Sequence, residues 1–203
     1  RGRQLHTNEY RSAAEFAGQH VLVVGGGISA IQLLGEISQV AQTSWVTRTP
    51  PRWRTGPFDV EAGRAAVAMV EERVRAGLPP NSVVSVTGLP WTPAIEAMQA
   101  RGVLERQPMF DEITASGVRW ADGHELAVDV ILWCTGFRSS LDHLAPLLLR
   151  EPGGGITMNG RLATQVAKEP RVHLVGYGPS ASTIGANRAG AVAAGELMAT
   201  LEL

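Results

Sequence analysis

The chain has 203 residues, of which 44% are hydrophobic and 18% are charged, so its composition is that of a globular protein with a sizeable core. The net charge is −1 and no basic block is present, which argues against nucleic acid as a partner. The sequence contains neither a run of about 18 apolar residues nor a signal-peptide pattern, and therefore predicts no membrane association. Its single cysteine, Cys134, excludes an internal disulfide and predicts a reducing, cytoplasmic location.

The first predicted elements form a strand, a helix and a second strand. Residues 21–24 are a continuous apolar run, typical of a buried parallel strand, and a glycine turn follows them. Apolar residues then recur at helical spacing from Ile28 to Ile37, and residues 43–47 are short and β-branched like a second strand. The whole stretch has about the 30 residues that a βαβ unit needs.

The glycine turn carries the pattern Gly25-x-Gly27-x-x-Ala30. Between a strand and a helix, this pattern allows backbone amides to approach a pyrophosphate closely, and it therefore predicts a dinucleotide site. An ordinary tight turn is the alternative. The predicted pyrophosphate-binding residues are Gly25, Gly27, Ile28, Ser29 and Ala30. The Ser29 hydroxyl is expected either to cap the helix or to contact a phosphate.

The end of the second strand indicates which dinucleotide binds. NAD sites usually carry an acidic residue about 20 positions after the glycines, whereas here Thr47 and Arg48 are followed by no acid before Asp59. An arginine suits the 2′-phosphate of NADPH because it makes charge-assisted hydrogen bonds. The sequence therefore predicts NADPH rather than NADH, with Thr47 and Arg48 as the residues that select the 2′-phosphate. A solvated loop cation is the alternative role for Arg48.

The middle of the chain combines a loop with two helices. Three prolines predict a loop over residues 48–57, and apolar residues at helical spacing predict a helix over residues 62–74. Thr92-Pro93 is typical of a helix start, because a hydroxyl cap precedes proline at the first helical position. Gly102 predicts the end of this short second helix.

The second half of the chain is predicted to contain several strands and one long helix. Residues 104–108, 113–120 and 128–133 are typical of strands, which predicts a small antiparallel β addition that leads into a buried strand. Residues 171–175 indicate a further buried strand. Residues 183–201 are rich in alanine and glycine and predict the last helix, which is suited to close approach to a sheet or a cofactor.

Four stretches together resemble a known family, the FAD- and NADPH-dependent flavoprotein monooxygenases, in the single-chain bacterial branch related to flavin-containing and Baeyer–Villiger monooxygenases. Gly2-x-x-x-His6-x-x-x-Tyr10 is similar to the end of the family fingerprint, and the glycine motif with Arg48 is similar to the family's NADPH motif. Cys134-Thr135-Gly136-Phe137 resembles the linker between the two cofactor domains. Residues 176–189 resemble the closing FAD-contact segment.

This resemblance implies an α/β fold: a Rossmann-like NADPH-binding domain with a small antiparallel β addition, joined to a C-terminal remnant of an FAD-binding Rossmann-like domain. Residues 1–18 are then an FAD-domain segment or linker, residues 19–136 the NADPH-binding domain and residues 137–203 part of the FAD-binding domain. The resemblance also assigns cofactor contacts. Thr135 and Gly136 are expected where the nicotinamide meets the flavin, and Gly178, Ser180 and Ala181 on the flavin side.

The family's first glycine motif, which holds the FAD pyrophosphate, is missing from these 203 residues. Two dinucleotide domains of about 150 residues each need roughly 300 residues. We therefore expect the chain to be part of a longer protein, or to obtain the missing FAD half from a homo-oligomer or a partner chain.

The resemblance further implies an oxidoreductase that uses NADPH to reduce FAD and then oxygenates a small organic substrate. Two alternatives stay open at this point: an NADPH-dependent flavoprotein reductase without oxygen activation, and a non-catalytic NADPH-binding module. The five histidines are scattered without metal-ligand spacing, so no metal site is predicted. No acid–base residue is marked by its spacing.

Overall fold

A computed structural model describes residues 2–56, 58–81 and 86–202 of the chain, which forms two compact units. The first unit combines Arg1–Gly56 with Gly88–Phe137, and the second combines Pro57–Thr87 with Arg138–Leu203. The first unit thus includes residues 1–18, and the second includes a segment from the middle of the chain. Which cofactor each segment serves stays a prediction.

The elements of the first unit are β1 (Arg3–His6), β2 (His20–Val24), α1 (Ile28–Ile37), β3 (Gln42–Thr47) and β4 (Trp53–Arg54) in its first stretch. The second unit then contributes α2 (Val60–Arg75). The first unit resumes with β5 (Leu89–Pro90), α3 (Pro93–Ala100), β6 (Arg106–Pro108), β7 (Glu112–Ile113), β8 (Gly117–Arg119), β9 (Glu125–Ala127) and β10 (Val130–Trp133). The second unit ends the chain with β11 (Met158–Asn159), β12 (Gln165–Val166), β13 (Glu169–His173) and α4 (Thr183–Thr200).

A five-stranded parallel sheet forms the centre of the first unit, in the order β1, β10, β2, β3, β6. The predicted βαβ unit is confirmed, because α1 connects the adjacent parallel strands β2 and β3. Val21, Leu22 and Val23 are completely buried, as expected for a strand covered on both faces. The α1 helix packs through its apolar residues Ala30, Ile31, Leu34 and Ile37.

The strand predicted at residues 104–108 lies in a different place from the one expected. It was expected to belong to an antiparallel addition, but β6 pairs in parallel with β3, and Arg106 is in register with Trp45. The connection from β3 includes α3 and is long enough for a parallel crossover. The predicted start of α3 is confirmed, since the Thr92 hydroxyl accepts a hydrogen bond from Ile95 N at 3.4 Å.

The antiparallel addition itself is a three-stranded sheet of β7, β8 and β9. Residues 113–120 were predicted as one strand, but the chain turns within them, where Thr114 N donates to Gly117 O. Two short strands on either side of this turn replace the single strand. Val118 and Trp120 join a buried cluster with residues of the parallel sheet, among them Leu22, Val46 and Ile131.

The predicted loop after β3 contains one short strand. Trp53 in β4 is in parallel register with Leu89 in β5, and its ring contacts Trp91 edge-on, with centroids 5.1 Å apart. Pro57, the last residue of the predicted loop, lies outside the described residues. Elsewhere the loop prediction agrees with the structure.

The second unit packs α2 and an antiparallel sheet around its own core. The helix predicted at residues 62–74 is confirmed as α2, which begins at the N-cap Asp59 and buries Ala66, Val70 and Val74. The sheet has the order β11, β12, β13. The core of this unit contains Val74, Leu149, Ile156, Met158, Ala163, Val166, Leu174 and Tyr177.

The prediction of a buried strand at residues 171–175 was wrong. The observed strand, β13, is an edge strand of the antiparallel sheet, and its Arg171 is exposed and paired with Glu169 at 2.8 Å. Alternation of apolar and charged residues suits such a half-exposed strand. The final predicted helix is confirmed as α4, whose N-cap is Ser182.

Candidate functional site

The sheet order of the first unit places a topological switch point between β2 and β10. From β2 the chain proceeds through α1 to β3 and then to β6, whereas β10 lies on the opposite side of β2. The registers align Val24 with Val46 on one side and with Trp133 on the other, so three turns leave the sheet at one edge. Open α/β sheets bind their ligands at this edge, outside the carboxyl ends of the strands.

The turn after β2 requires glycine at position 25. Gly25 has a φ of +140°, and a Cβ at this position would overlap the carbonyl oxygen of Cys134. Its N–H donates to Val46 O at 3.0 Å, and its carbonyl accepts from the Trp45 indole N–H at 2.7 Å. Trp45 was not predicted as part of the site, because the sequence does not distinguish it from an ordinary core tryptophan.

The amino end of α1 offers free backbone donors. Gly27 is its N-cap, no side chain caps it, and no acidic residue lies in its first turn. Ile31 N donates to Gly27 O at 3.3 Å, and the preceding amides of Ile28, Ser29 and Ala30 have no partner within the helix. A Cβ on Gly27 would have no heavy atom within 4 Å. Amide donors, the helix dipole and open space together fit a pyrophosphate group.

The alternative capping role of Ser29 is not observed, because Gly27 occupies the N-cap and Ser29 lies inside the first turn of α1. The Ser29 side chain is partly buried, whereas Ile28 is 38% exposed and Ala30 is completely buried. Ala30 therefore packs the helix against the sheet, and Ser29 is the polar side chain at the helix start.

Thr47 and Arg48 lie together at the end of β3 but differ in their environments. Thr47 is 2% exposed, and its hydroxyl donates to Thr49 O at 2.7 Å, while Arg106 donates to Thr47 O at 3.1 Å. Arg48 is exposed, and the described part of the chain contains no hydrogen bond or ion pair of its guanidinium. Thr47 therefore stabilises the strand end, and Arg48 has its donors available.

The turn after β10 contains Thr135 and Gly136, both of which are exposed. Gly136 has a φ of +85°, and its carbonyl oxygen lies 3.2 Å from His6 Nε2. Because a carbonyl only accepts, the imidazole donates through Nε2 in this contact. His6 ends β1, so this histidine of the fingerprint-like stretch contacts the turn at the switch point.

Cys134 lies directly before this turn and is a buried free cysteine. Burial raises the pKa of the Cys134 thiol to about 12, since an apolar environment disfavours the thiolate. The thiolate is the nucleophilic form of cysteine. Cys134 therefore packs as a small apolar residue at neutral pH.

The second unit contains the other glycine turn predicted to contact a cofactor, Gly178 to Ala181. Ser180 is 3% exposed, and its hydroxyl accepts from Gly176 N at 2.9 Å and donates to Tyr177 O at 3.0 Å. Gly178 is buried and has a φ of +63°, whereas Ala181 is exposed. The Ser180 hydroxyl thus already has partners inside its own turn.

Among the residues that the structure describes, no group of three or more His, Cys, Asp and Glu side chains is arranged to hold a metal ion. Within the same residues, no helix has both the length and the apolar character needed to cross a lipid bilayer.

The chain is similar in sequence to several monooxygenases. No family model matches it. The chain is 26% identical over 192 residues to the indole-3-pyruvate monooxygenase YUCCA8 of Oryza sativa subsp. indica, covering 79% of this chain and 44% of that protein. It is 28% identical over 193 residues to the indole-3-pyruvate monooxygenase YUCCA1 of Oryza sativa subsp. japonica, covering 78% of this chain and 45% of that protein. The chain thus spans less than half the length of these relatives.

The solved structures agree with these relatives. A mutant flavin monooxygenase from Stenotrophomonas maltophilia is 34% identical and superimposes with a TM-score of 0.75, over 96% of this chain and 55% of that chain. The protein OTEMO, in complex with FAD and NADP, is 14% identical and superimposes with a TM-score of 0.59, over 99% of this chain and 57% of that chain, which shows a shared fold. The chain is therefore similar, over most of its own length, to part of each of these flavin monooxygenases.

Proposed function

We propose that the chain is the NADPH-handling part of an FAD-dependent monooxygenase that acts on a small organic substrate. The observation that carries this proposal is the uncapped amino end of α1, which lies at the switch point of the parallel sheet. When bound, NADPH supplies a hydride that reduces FAD, and reduced flavin supplies the chemistry for oxygenation. The residues of this chain bind and orient the hydride donor.

The proposed NADPH site follows the edge of the first unit. The amides of Ile28, Ser29 and Ala30 hold the pyrophosphate, and the glycines at 25 and 27 leave room for it. Arg48 pairs with the 2′-phosphate, because its guanidinium is exposed and no acidic residue follows it before Asp59. The buried Thr47 holds the end of β3 from which Arg48 extends.

The remaining cofactor contacts rest on the family resemblance. Thr135 and Gly136 are assigned to the nicotinamide end of the site, and Gly178, Ser180 and Ala181 to the flavin side. Ser180 acts there by shaping the turn, since its hydroxyl is bonded within it. The division into an NADPH-binding domain at 19–136 and FAD-domain segments at 1–18 and 137–203 stays part of the proposal, as do a partner chain or homo-oligomer and a cytoplasmic location.

The reductase alternative is not favoured. An enzyme that passes electrons to a disulfide through a single cysteine needs an accessible thiol that ionises readily. Cys134 is buried and its pKa is raised to about 12, so it does not meet that requirement. The relatives named above are monooxygenases.

The NADPH assignment is tested by replacing Arg48. We expect Arg48→Ala to weaken NADPH binding by about tenfold to a hundredfold, because charge-assisted hydrogen bonds are lost, and to leave NADH binding unchanged. Titration calorimetry with both cofactors measures this difference. Arg52→Ala, which removes another exposed cation of the same loop, is the matched control. Equal losses for NADPH and NADH would contradict the assignment.

The FAD assignment is tested by visible absorption. The purified chain is incubated with excess FAD, freed of unbound flavin and then mixed anaerobically with NADPH. Retained flavin that bleaches supports turnover by this chain itself. If no flavin is retained, the catalytic unit is the longer or assembled protein, and the same measurement on that protein decides the proposal.

A further inference from the structure

One aromatic ring at the proposed site is exposed. Phe137 is 74% exposed, whereas Phe16 is completely buried and Phe110 is 9% exposed. Phenylalanine has a large apolar surface, and leaving it in water is unfavourable. Phe137 follows Gly136 directly, so this ring presents an apolar surface to a ligand at the switch point.

The exposed ring is held in place by β1. The His6 imidazole contacts the Phe137 ring edge-on, with centroids 5.3 Å apart and planes at 87°. The same imidazole holds the preceding carbonyl, since His6 Nε2 lies 3.2 Å from Gly136 O. His6 is itself fixed by strand pairing, in register with Trp133 of β10. Phe137 thus presents its ring, in contact with His6, at the edge of the parallel sheet.

The order of the strands indicates which part of a dinucleotide reaches this ring. The amino end of α1 follows β2, Arg48 follows β3 on one side, and Phe137 follows β10 on the other side. In doubly wound sheets a dinucleotide lies across the switch point with its pyrophosphate in the middle. If the 2′-phosphate end lies at Arg48, the nicotinamide end lies on the β10 side, where Phe137 is.

We infer that Phe137 is a binding residue whose ring stacks against the nicotinamide of the cofactor. This inference rests on the proposed function, since it assumes an NADPH site at the switch point. A flat nicotinamide ring packs well on an aromatic face, and in NADP⁺ its positive charge is attracted to that face. This contact therefore contributes to the binding of the nicotinamide end and does not involve the 2′-phosphate.

The test compares two ligands on the full chain. NADP⁺ carries the nicotinamide, whereas 2′,5′-ADP keeps the 2′-phosphate and lacks the nicotinamide. We expect Phe137→Ala to weaken NADP⁺ binding by about tenfold in titration calorimetry, since the stacking is lost, and to leave 2′,5′-ADP binding unchanged. Phe137→Trp, which keeps an aromatic face, should retain most of the NADP⁺ affinity.

Arg48→Ala is the reciprocal control, because it should weaken both ligands. Circular dichroism checks that the variants are folded, which is expected because Phe137 and Arg48 are exposed. Unchanged NADP⁺ binding in Phe137→Ala, or an equal loss for both ligands, would overturn the inference while the NADPH site stands. If the unsubstituted chain binds neither ligand, the proposed function fails and the inference fails with it.

Discussion

The molecule contains two glycine turns that both lead into a helix, and they differ in how their backbone amides are satisfied. In the first unit, the turn at residues 25–27 leaves the start of α1 without a side-chain cap. In the second unit, side chains of the turn at residues 176–182 hydrogen-bond to nearby backbone groups. The Ser180 hydroxyl bonds to Gly176 N and Tyr177 O, and the Ser182 hydroxyl accepts from Gly185 N at 3.0 Å at the start of α4.

This difference shows what a glycine motif alone leaves undetermined. Both turns contain glycine with positive φ at the start of a helix, so their sequences predict similar cofactor contacts. We call a turn open when its backbone amides have no side-chain partner, and self-bonded when its own side chains hydrogen-bond to its backbone. An open turn has amide donors available for an anion, whereas a self-bonded turn has fewer. We therefore expect the first turn to contain a position where a substitution weakens NADPH binding with little loss of stability. Substitutions in the second turn should act mainly on stability.

The largest expected effect is that of Gly25→Ala. The residue has a φ of +140°, and the added Cβ would overlap the carbonyl oxygen of Cys134, which is a backbone atom that cannot rotate away. We expect a loss of about 3 kcal/mol in the free energy of unfolding, from backbone strain and overlap together. Urea denaturation followed by tryptophan fluorescence measures it, since all five tryptophans lie in the first unit.

Gly27→Ala is the matched control for that substitution. Gly27 has a φ of −96°, and its added Cβ would meet nothing within 4 Å. Stability should fall by about 1 kcal/mol, because alanine is less favourable than glycine at an N-cap. NADPH binding should nevertheless weaken, because the methyl group enters the space in front of the free amides. Unchanged NADPH affinity would contradict the pyrophosphate assignment of this turn.

An intermediate effect is expected for serine substitutions in the two turns. Ser180→Ala removes a buried hydroxyl with two backbone partners, and should cost about 1–3 kcal/mol of unfolding free energy. Ser29→Ala should cost less than about 0.5 kcal/mol, because Ser29 does not cap α1. Hydrogen exchange of residues 176–182 and 28–31 compares the two turns. A similar destabilisation by both substitutions would show that the first turn is not open.

The sequence predicted the elements around the first glycine turn, but not the residue that forms the N-cap of α1. The strand, glycine turn and helix from residue 20 to residue 37 were predicted correctly, because a continuous apolar run and helical periodicity are local signals. The N-cap at Gly27 was less accessible, since Ser29 offers a plausible cap in the sequence and only the backbone geometry decides between them.

The features that the sequence did not predict depend on tertiary contacts and on backbone geometry. The parallel pairing of β6 with β3 depends on a crossover, and no residue between 104 and 108 signals it. The contact of His6 with Gly136 joins residues 130 positions apart, and the indole donor of Trp45 is invisible in a strand pattern. The bonds of Ser180 within its turn likewise arise from backbone geometry, so the sequence could not distinguish a self-bonded turn from an open one.

The smallest expected effect is a pH dependence that distinguishes the two units. Burial lowers the pKa of His20, at the start of β2, below its ordinary value of 6.5. The unfolded chain therefore binds this proton more readily, and the stability of the first unit falls as the pH decreases below 6.5. In the second unit, Arg171 lowers the pKa of Glu169 from 4.5 to about 2, so its contribution is lost only as the pH falls below 4.5.

Acidification from pH 7 to pH 5 should therefore weaken the strand that leads into the open turn and leave β13 unaffected. Hydrogen exchange of β2 and β13 amides at both pH values, corrected for the intrinsic exchange rates, measures this. His20→Gln is the control, because it removes the titrating group while offering an amide to Ser44, whose hydroxyl lies 2.9 Å from His20 Nε2. The acid effect on β2 should disappear in this variant, since burial of an uncharged imidazole is its cause. If the acid effect on β2 persists in His20→Gln, a group other than His20 governs the acid response.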